Sequence, residues 1–161
     1  MKVRIKFLGG ARTVTGSKYL LEINDYKILV DCGLFQGLKD LRLKNWEPFP
    51  IEASTIDAVV ITHAHIDHTG YLPKLVKEGF SGNVYCTEAT ASLMHIMLLD
   101  SAKLQEEEAE WARKKGYSKH DPPKPVYETA DAEKALELLR SYSYEDKIDI
   151  IDRIAITFKN A

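Results

Sequence analysis

The alternation of apolar and polar residues predicts several β-strands in the first half of the chain. Residues 2–8 alternate with a period of two, which is typical of a half-buried strand. Two apolar runs, 19–23 and 26–30, lie on either side of an Asn-Asp pair and predict a β-hairpin. A further run, Ala58–Thr62, predicts a buried strand, whereas the polar residues 38–57 before it predict little regular structure.

Apolar residues at helical spacing predict three helices in the second half. The predicted helices are Tyr71–Glu78, Glu88–Lys115 and Asp131–Arg140, and a short strand, Val84–Cys86, separates the first two. The chain then alternates again over Arg153–Lys159, which predicts a last strand. The expected architecture is an α/β fold, with one mixed sheet and the helices packed outside it.

The helical periodicity also predicts which residues share a side of each helix. In the long helix one amphipathic face is predicted to consist of Leu93, Ile96, Met97, Asp100, Leu104 and Trp111. In the last helix the apolar positions i, i+3, i+4 and i+7 are Ala132, Ala135, Leu136 and Leu139. Thr129 or Asp131 is expected to cap the first turn of that helix.

Composition and charge predict one soluble globular domain. The chain has 161 residues, of which 45% are hydrophobic, enough to bury a core. It has 22 Lys and Arg against 24 Asp and Glu, so it lacks the basic surplus of most nucleic-acid-binding modules, although metal ions can supply positive charge at a nuclease site. No apolar run approaches the ~20 residues that span a bilayer, and the N-terminus lacks a signal-peptide core. A cytoplasmic protein without membrane contact is expected.

The two cysteines and two isolated histidines give no sign of a disulfide framework or a metal site. Cys32 and Cys86 are too few and too far apart for a disulfide framework or a Cys-x₂-Cys zinc site, so buried thiols are expected. His95 falls inside the long predicted helix and is interpreted as structural. His120 lies in a Pro-rich loop and has no evident ligand partners in the sequence.

The clearest chemical signal is a cluster of histidines directly after the predicted strand Ala58–Thr62. His63 and His65 are two residues apart, so in an extended segment both imidazoles project to the same side and can reach one metal ion. Asp67 and His68 follow where the chain must turn, which lets them address a second point beside the first. Imidazole and carboxylate ligands suit Zn²⁺, with Mn²⁺ or Fe²⁺ as chemical alternatives.

Asp31 ends the second strand of the predicted hairpin. An unpaired carboxylate is costly to bury at the end of an apolar strand, so Asp31 is expected to have a partner. The residues leave two interpretations open: Asp31 caps the next turn, or it supports the nearby cluster of histidines.

The segment Thr62–Gly70, with its His-x-His-x-Asp-His spacing, resembles the metal-binding signature of the metallo-β-lactamase superfamily. Three flanking segments, Phe7–Ser17, Leu29–Gly37 and Gly70–Leu75, are similar to the β-CASP branch, whose members are RNA- and DNA-processing nucleases. The resemblance covers most of residues 1–100. It implies an αβ/βα sandwich, of which this chain would form the N-terminal half.

The resemblance also implies roles for particular residues. His63 and His65 would hold a first zinc ion, and Asp67 and His68 a second, with both of the latter acting as catalytic residues. For Asp67 two roles are open, as a metal ligand or as the group that orients the attacking water. Asp31 would support the site by hydrogen bonding near the ligands. The implied reaction is the hydrolysis of a phosphodiester in single-stranded RNA by a zinc-activated water.

The sequence departs from complete members of this family in its second half. Those proteins carry a further metal-binding His, a bridging Asp and the inserted β-CASP domain, for which the sequence shows no matching segment. Residues 1–161 are therefore expected to be an N-terminal portion of the domain, with two candidate ligands per ion. Two alternatives are a small-molecule hydrolase of the thioesterase or lactonase type and a non-catalytic subunit. A half-sandwich also leaves an apolar sheet face uncovered, which predicts homodimers or other self-association.

Overall fold

A mixed six-stranded sheet forms the centre of the fold in the computed structural model, which describes residues 2–116 and 123–160. Its strands lie side by side in chain order, the first three antiparallel and the last four parallel to one another. They are β1 (Val3–Gly9), β2 (Lys18–Ile23), β3 (Tyr26–Val30), β4 (Ala58–Val60), β5 (Asn83–Thr87) and β6 (Leu139–Tyr142). The predicted hairpin and the predicted strands at 2–8, 58–62 and 84–86 are confirmed to within two residues.

Helices and a small hairpin complete the described chain. The helices are α1 (Lys39–Leu43), α2 (Ile66–Thr69), α3 (Leu72–Lys77), α4 (Glu88–Lys115) and α5 (Thr129–Glu137), and two 3₁₀ turns are Lys44–Trp46 and Ala53–Thr55. Strands β7 (Ile148–Ile151) and β8 (Ile154–Ile156) pair as a separate antiparallel hairpin. The polar stretch 38–57 thus holds one short helix and two 3₁₀ turns, more regular structure than its pattern predicts. The Pro-rich loop that contains His120 lies largely outside the described residues.

The main core lies between the sheet and the helices on one of its faces. Leu29 and Val59 from the sheet pack there with Leu72 of α3, Met94 of α4 and Ala132 of α5, and each of these side chains is fully or almost fully buried. A smaller cluster on the opposite sheet face consists of Ile28, Ala58, Val60, Tyr85 and Ile148 and is covered by β7 and β8. The α/β architecture expected from the sequence is therefore confirmed.

Part of the second sheet face is open to solvent. Val3, Ile5 and Phe7 alternate along the edge strand β1, and they are 50%, 54% and 65% exposed. Their partners in the register of β2 are also apolar or aromatic: Ile23, Leu21 and Tyr19. The described part of the chain therefore presents an uncovered apolar surface on this sheet face.

The residues predicted to share one side of α4 do so, but that side faces solvent and not the core. Four of its large apolar residues are 50–69% exposed: Leu93, Ile96, Leu104 and Trp111. The side that packs on the core holds smaller residues, with Thr90, Ala91, Met94, Leu98, Ala102 and Ala109 buried. At 100° per residue the two sets lie on opposite sides of the helix. Small residues allow close packing against the sheet, so residue size misled the prediction.

The predicted boundaries of the last helix are also wrong. α5 ends at Glu137, and Leu139 instead pairs with Val84 as the first residue of β6. The N-cap of α5 is Glu128, whose side chain and that of Asp131 form a reciprocal capping box. Residues 139–142 leave the helix because they gain hydrogen bonds from β5, a long-range contact that the local pattern does not contain.

The two cysteines are free and buried, as predicted. Burial raises the pKa of the Cys32 thiol to about 12 and that of Cys86 to about 11, so both stay protonated at neutral pH. None of the described helices is both long enough and apolar enough to cross a bilayer.

Candidate metal centre

The candidate site lies where two neighbouring parallel strands end. Strands β3 and β4 are paired in parallel, so Asp31 after β3 and the residues after β4 emerge at the same edge of the sheet. A backbone hydrogen bond of 2.9 Å from the Asp31 amide to the carbonyl oxygen of Val60 holds the two strand ends together. We call residues 62–69, which contain all the sequence-predicted ligands, the histidine loop.

The first pair, His63 and His65, points to a common position. Nε2 of His63 and Nδ1 of His65 are 3.1 Å apart. His63 precedes helix α2 in an irregular turn, and His65 is the N-cap residue of α2. The loop between β4 and α2 thus brings the two nitrogens together, as the spacing of the two residues predicts.

The second pair, Asp67 and His68, lies in α2 beside the first. Nε2 of His68 is 3.5 Å from Oδ2 of Asp67. The imidazole rings of His63 and His68 are in contact, with centroids 4.0 Å apart. The four side chains therefore form one continuous cluster of two adjacent donor pairs.

Asp31 lies beneath this cluster and contacts it through His68 and through Thr62. Its Oδ2 atom accepts a hydrogen bond from Nδ1 of His68 at 2.8 Å. The Asp31 carboxylate also accepts hydrogen bonds from the backbone N–H of Thr62 at 2.8 Å and from the Thr62 hydroxyl. Because the Thr62 hydroxyl donates its own proton to Asp31, its oxygen can accept a hydrogen bond from Nδ1 of His63, 3.0 Å away. The turn-capping alternative for Asp31 is thus not what the structure shows, because its partners belong to the histidine loop.

These hydrogen bonds decide which ring nitrogen faces outward. A proton on Nδ1 of His68, held by Asp31, leaves Nε2 of that ring with a free lone pair. A proton on Nδ1 of His63, held by Thr62, leaves its Nε2 free toward His65. Burial, and then the neighbouring His68 and His65, lower the pKa of His63, which favours the neutral imidazole that a metal ion requires.

Backbone contacts fix the histidine loop against the strand ends. The carbonyl oxygens of Asp67 and His68 accept from the amides of Ser17 at 2.9 Å and Cys32 at 2.7 Å. Gly33 packs directly on the loop, and a Cβ atom at this position would overlap the Asp67 carbonyl group. Such close backbone approach is open only to glycine, so Gly33 is required for the loop to lie where it does.

The donors fit a divalent metal ion in chemical type and in spacing. Two nitrogens bound to one tetrahedral Zn²⁺ at about 2.0–2.1 Å lie roughly 3.3 Å apart, close to the His63–His65 separation. Within residues 2–116 and 123–160, however, no three His, Cys, Asp or Glu side chains are arranged to hold one ion. The described residues therefore present two adjacent pairs of donors, His63 with His65 and Asp67 with His68.

Of the two other histidines, the structure describes His95. The ring of His95 lies on α4, with Nδ1 2.9 Å from the carbonyl oxygen of Ala91 in its own helix, in agreement with a structural interpretation. His120 lies outside the described residues. Thr62 is the site residue that sequence reasoning missed. Its position between a buried strand and the first histidine could have indicated a role in orienting that histidine.

Comparisons with known proteins identify the family of the chain. A family model for the metallo-beta-lactamase superfamily matches residues 12–144. A ribonuclease of Thermus thermophilus is 42% identical over 142 residues, which cover 88% of this chain and 28% of that protein. Transcription termination factor FttA of Methanosarcina mazei is 36% identical over 99% of this chain and 23% of its own length. Cleavage and polyadenylation specificity factor 73 of Drosophila melanogaster is 31% identical, over 92% of this chain and 20% of its own length.

The chain thus spans between 20% and 28% of the length of these curated relatives. The family match, by contrast, extends over most of the chain and includes Asp31 and the whole histidine loop. Fold, donor cluster and sequence similarity agree, and the chain belongs to the metallo-beta-lactamase superfamily.

Proposed function

We propose that this chain supplies the histidine-loop half of the active site of a metal-dependent ribonuclease. The observation that carries the proposal is the convergence of His63, His65, Asp67 and His68 above the buried carboxylate of Asp31. Membership of the superfamily implies that divalent metal ions bind there. The names of two relatives, a ribonuclease and a cleavage and polyadenylation specificity factor, favour RNA as the substrate.

The proposed metal is Zn²⁺, with two ions in a complete site. His63 and His65 would hold one ion, and Asp67 and His68 the other. When bound, the ions supply an activated water at neutral pH and stabilise the charge that develops on the phosphodiester. The nitrogen-rich donor set favours zinc over the hard, oxygen-seeking Mg²⁺.

The side chains of the chain itself hold the donors in their ligating state. Asp31 keeps the proton of His68 on Nδ1, and Thr62 keeps that of His63 on Nδ1, so both Nε2 atoms face the metal positions. Asp67 lies within 3.5 Å of His68 and shares its metal position, from which a carboxylate oxygen can also orient a water. Asp67 and His68 are accordingly the proposed catalytic residues.

The remaining ligands are proposed to lie outside the described residues, because these supply only two donors per position. The resemblance of the flanking segments around residues 7–17, 29–37 and 70–75 supports a proposed enzyme of the β-CASP branch of RNA-processing nucleases. The proposed substrate is single-stranded RNA and the proposed location is the cytoplasm. Donors from another segment or another chain would then complete both coordination spheres.

The test begins with zinc content. Elemental analysis of the purified chain is compared with the double variant His63→Ala/His65→Ala, and His95→Ala serves as the matched control because His95 lies outside the cluster. We expect zinc to be bound by the wild type and His95→Ala, and lost in the double variant. Equal, measurable zinc in all three proteins would contradict the proposed ligands, whereas no zinc in any of them would show that the missing ligands are needed before an ion binds.

The substrate class is tested separately on a parent protein that contains this chain together with the remaining ligands. End-labelled single-stranded RNA is expected to be cut in the presence of Zn²⁺, and cutting is expected to disappear in His68→Ala. If the protein hydrolyses a thioester or lactone and leaves the RNA uncut, the small-molecule alternative is correct. If neither substrate reacts in a zinc-loaded protein, a non-catalytic subunit is the correct interpretation.

A further inference from the structure

Lys18 is a buried cation directly behind the histidine loop. It is the first residue of β2 and only 2% exposed, on the same strand face as the fully buried Leu20. Lysine is almost never fully buried unless it is paired. Among the described residues, no carboxylate lies within ion-pair distance of the Lys18 ammonium group. Burying the ammonium group without a counter-ion costs free energy, so other contacts must stabilise it.

Carbonyl oxygens and aromatic rings take the place of a counter-ion. Nζ of Lys18 donates a 2.6 Å hydrogen bond to the carbonyl oxygen of Gly33, and the carbonyl oxygen of Gly16 is 3.5 Å away. The ammonium group also lies 4.4 Å from the centre of the Phe35 ring and 4.6 Å from that of Tyr71. Both rings are within the range of a cation–π interaction.

The carbonyl group that Lys18 binds belongs to the backbone that supports the histidine loop. The Gly33 amide donates to the carbonyl oxygen of Ser17 at 3.0 Å, and the Ser17 amide donates to Asp67 at 2.9 Å. Gly33 also packs directly on the Asp67 carbonyl group. Lys18 thus ties together two segments that both contact the loop, one before β2 and one after β3.

We propose that Lys18 is a positioning residue for the metal centre: it clamps Gly16 and Gly33, and through Ser17 it fixes the Asp67–His68 half of the histidine loop. Fold stability does not explain a charge at this position, because a buried charge without a counter-ion costs free energy. Geometry explains it better. An ammonium group can bind two carbonyl oxygens that converge from different segments, and an apolar side chain cannot.

The test compares Lys18→Met with Lys44→Met. Methionine keeps the length and volume of the buried side chain but removes the charge and the donor. Lys44 is the matched control because it is exposed, and its ammonium group faces the same Phe35 ring at 5.7 Å. Three quantities are measured on each chain: the thermal unfolding midpoint, the hydrogen-exchange rates of individual amides, and the affinity for Co²⁺ as a spectroscopic substitute for zinc.

In Lys18→Met we expect the unfolding midpoint to stay equal or rise, while the amides of Ser17 and Cys32 exchange about tenfold faster or more. The Co²⁺ affinity is expected to fall about 10–100-fold, as for residues that orient metal ligands. Lys44→Met should match the wild type in all three measurements. Wild-type exchange rates at both amides in Lys18→Met would overturn the proposal. So would a loss of affinity that merely follows a loss of stability.

A second variant covers the case in which Lys18→Met does not fold. Phe35→Leu removes one ring from the ammonium group but leaves Lys18 and its hydrogen bond to Gly33 in place. Without this ring the ammonium group is held less firmly against the two carbonyl oxygens. The same two amides are therefore expected to exchange faster, and unchanged rates would contradict the proposal. The Co²⁺ measurement rests on the proposed function, whereas the exchange measurement does not. A wild type that binds no Co²⁺ would therefore refute the metal site and leave the exchange rates to decide the role of Lys18.

Discussion

The carboxylate of Asp31 accepts a 2.8 Å hydrogen bond from Nδ1 of His68, and it is 2% exposed. The same carboxylate accepts from the Thr62 amide and hydroxyl, and the hydroxyl in turn contacts His63. One buried acid therefore orients a histidine in each donor pair. A change at Asp31 should disturb both metal positions together.

Replacing Asp31 tests this shared role. Asp31→Asn keeps the size of the side chain, and Asn tolerates the left-handed backbone at this position, where φ is 59°. The weaker acceptor should lower the affinity for Zn²⁺ or Co²⁺ about 10–100-fold. Competition with a chromophoric chelator measures the affinity, and Asp25→Asn, in the exposed hairpin turn, is the control. An affinity equal to that of the control would show that Asp31 does not orient the ligands.

Thr62 is expected to act mainly on the first donor pair. Thr62→Val keeps the shape of the side chain but removes the hydroxyl that links Asp31 to His63. We expect weaker Co²⁺ binding and a changed visible spectrum, because His63 can then rotate or change tautomer. Thr62→Ser retains the hydroxyl and should behave like the wild type. Identical spectra for the Val and Ser variants would exclude a role for the hydroxyl.

Gly33→Ala should displace the histidine loop. The added methyl group would overlap the Asp67 carbonyl group, so the backbone must move, and we expect a loss of more than about 3 kcal/mol in the free energy of unfolding. Gly37→Ala is the control because it meets no atom within 4 Å and only the backbone strain of its positive φ remains. Chemical denaturation measures both. If Gly33→Ala lowers the free energy of unfolding no more than the control does, Gly33 does not pack tightly on the Asp67 carbonyl group.

Lys18 gives the fold a specific dependence on pH. Burial lowers the pKa of Lys18 from 10.5 to about 8, so the folded chain binds fewer protons than the unfolded chain between these values. The cost of the buried charge is complete below pH 8 and is relieved as the pH rises to 10.5. Between pH 8 and 10.5 the free energy of unfolding of the wild type should therefore rise by about 3 kcal/mol relative to that of Lys18→Met.

Comparison with the variant is necessary because other groups titrate in the opposite sense. Burial raises the pKa values of Cys32 and Tyr71, which reduces the free energy of unfolding at alkaline pH in both proteins. The difference in the free energy of unfolding, measured by denaturation from pH 7 to 10.5, reports the titration of Lys18 together with its coupling to the Cys32 thiol. A difference that does not change with pH would show that the Lys18 pKa is not lowered.

The uncovered part of the second sheet face is expected to cause self-association. The apolar side chains of Val3, Ile5 and Phe7 are at least half exposed on one strand face. Ile5→Thr/Phe7→Thr should shift the chain toward the monomer in light scattering, because threonine keeps the strand propensity and removes apolar area. Ile96→Gln, on the exposed side of α4, is the matched control. A wild type that is monomeric at high concentration would refute the prediction.

The local pattern of the chain was sufficient for most elements. The hairpin around Asn24, the strand before His63 and the bounds of the helix Glu88–Lys115 follow from period, turn residues and the Gly116 stop signal, all of which are local properties. The pattern failed where a distant partner decides the outcome. Leu139 left the helix to pair with Val84, and α4 turned its alanines, not its largest apolar residues, toward the core formed with α5 and the sheet.

The sequence by itself determined the donor types of the site and their spacing, since His63, His65, Asp67 and His68 lie within six residues. Only the tertiary structure decided what orients them. Asp31 reaches His68 because β3 and β4 pair in parallel and end at the same edge. Lys18 reaches Gly33 because β2 and β3 are neighbouring strands whose flanking segments meet behind the loop. Contacts between segments 15 to 37 residues apart depend on strand pairing, which no local pattern specifies.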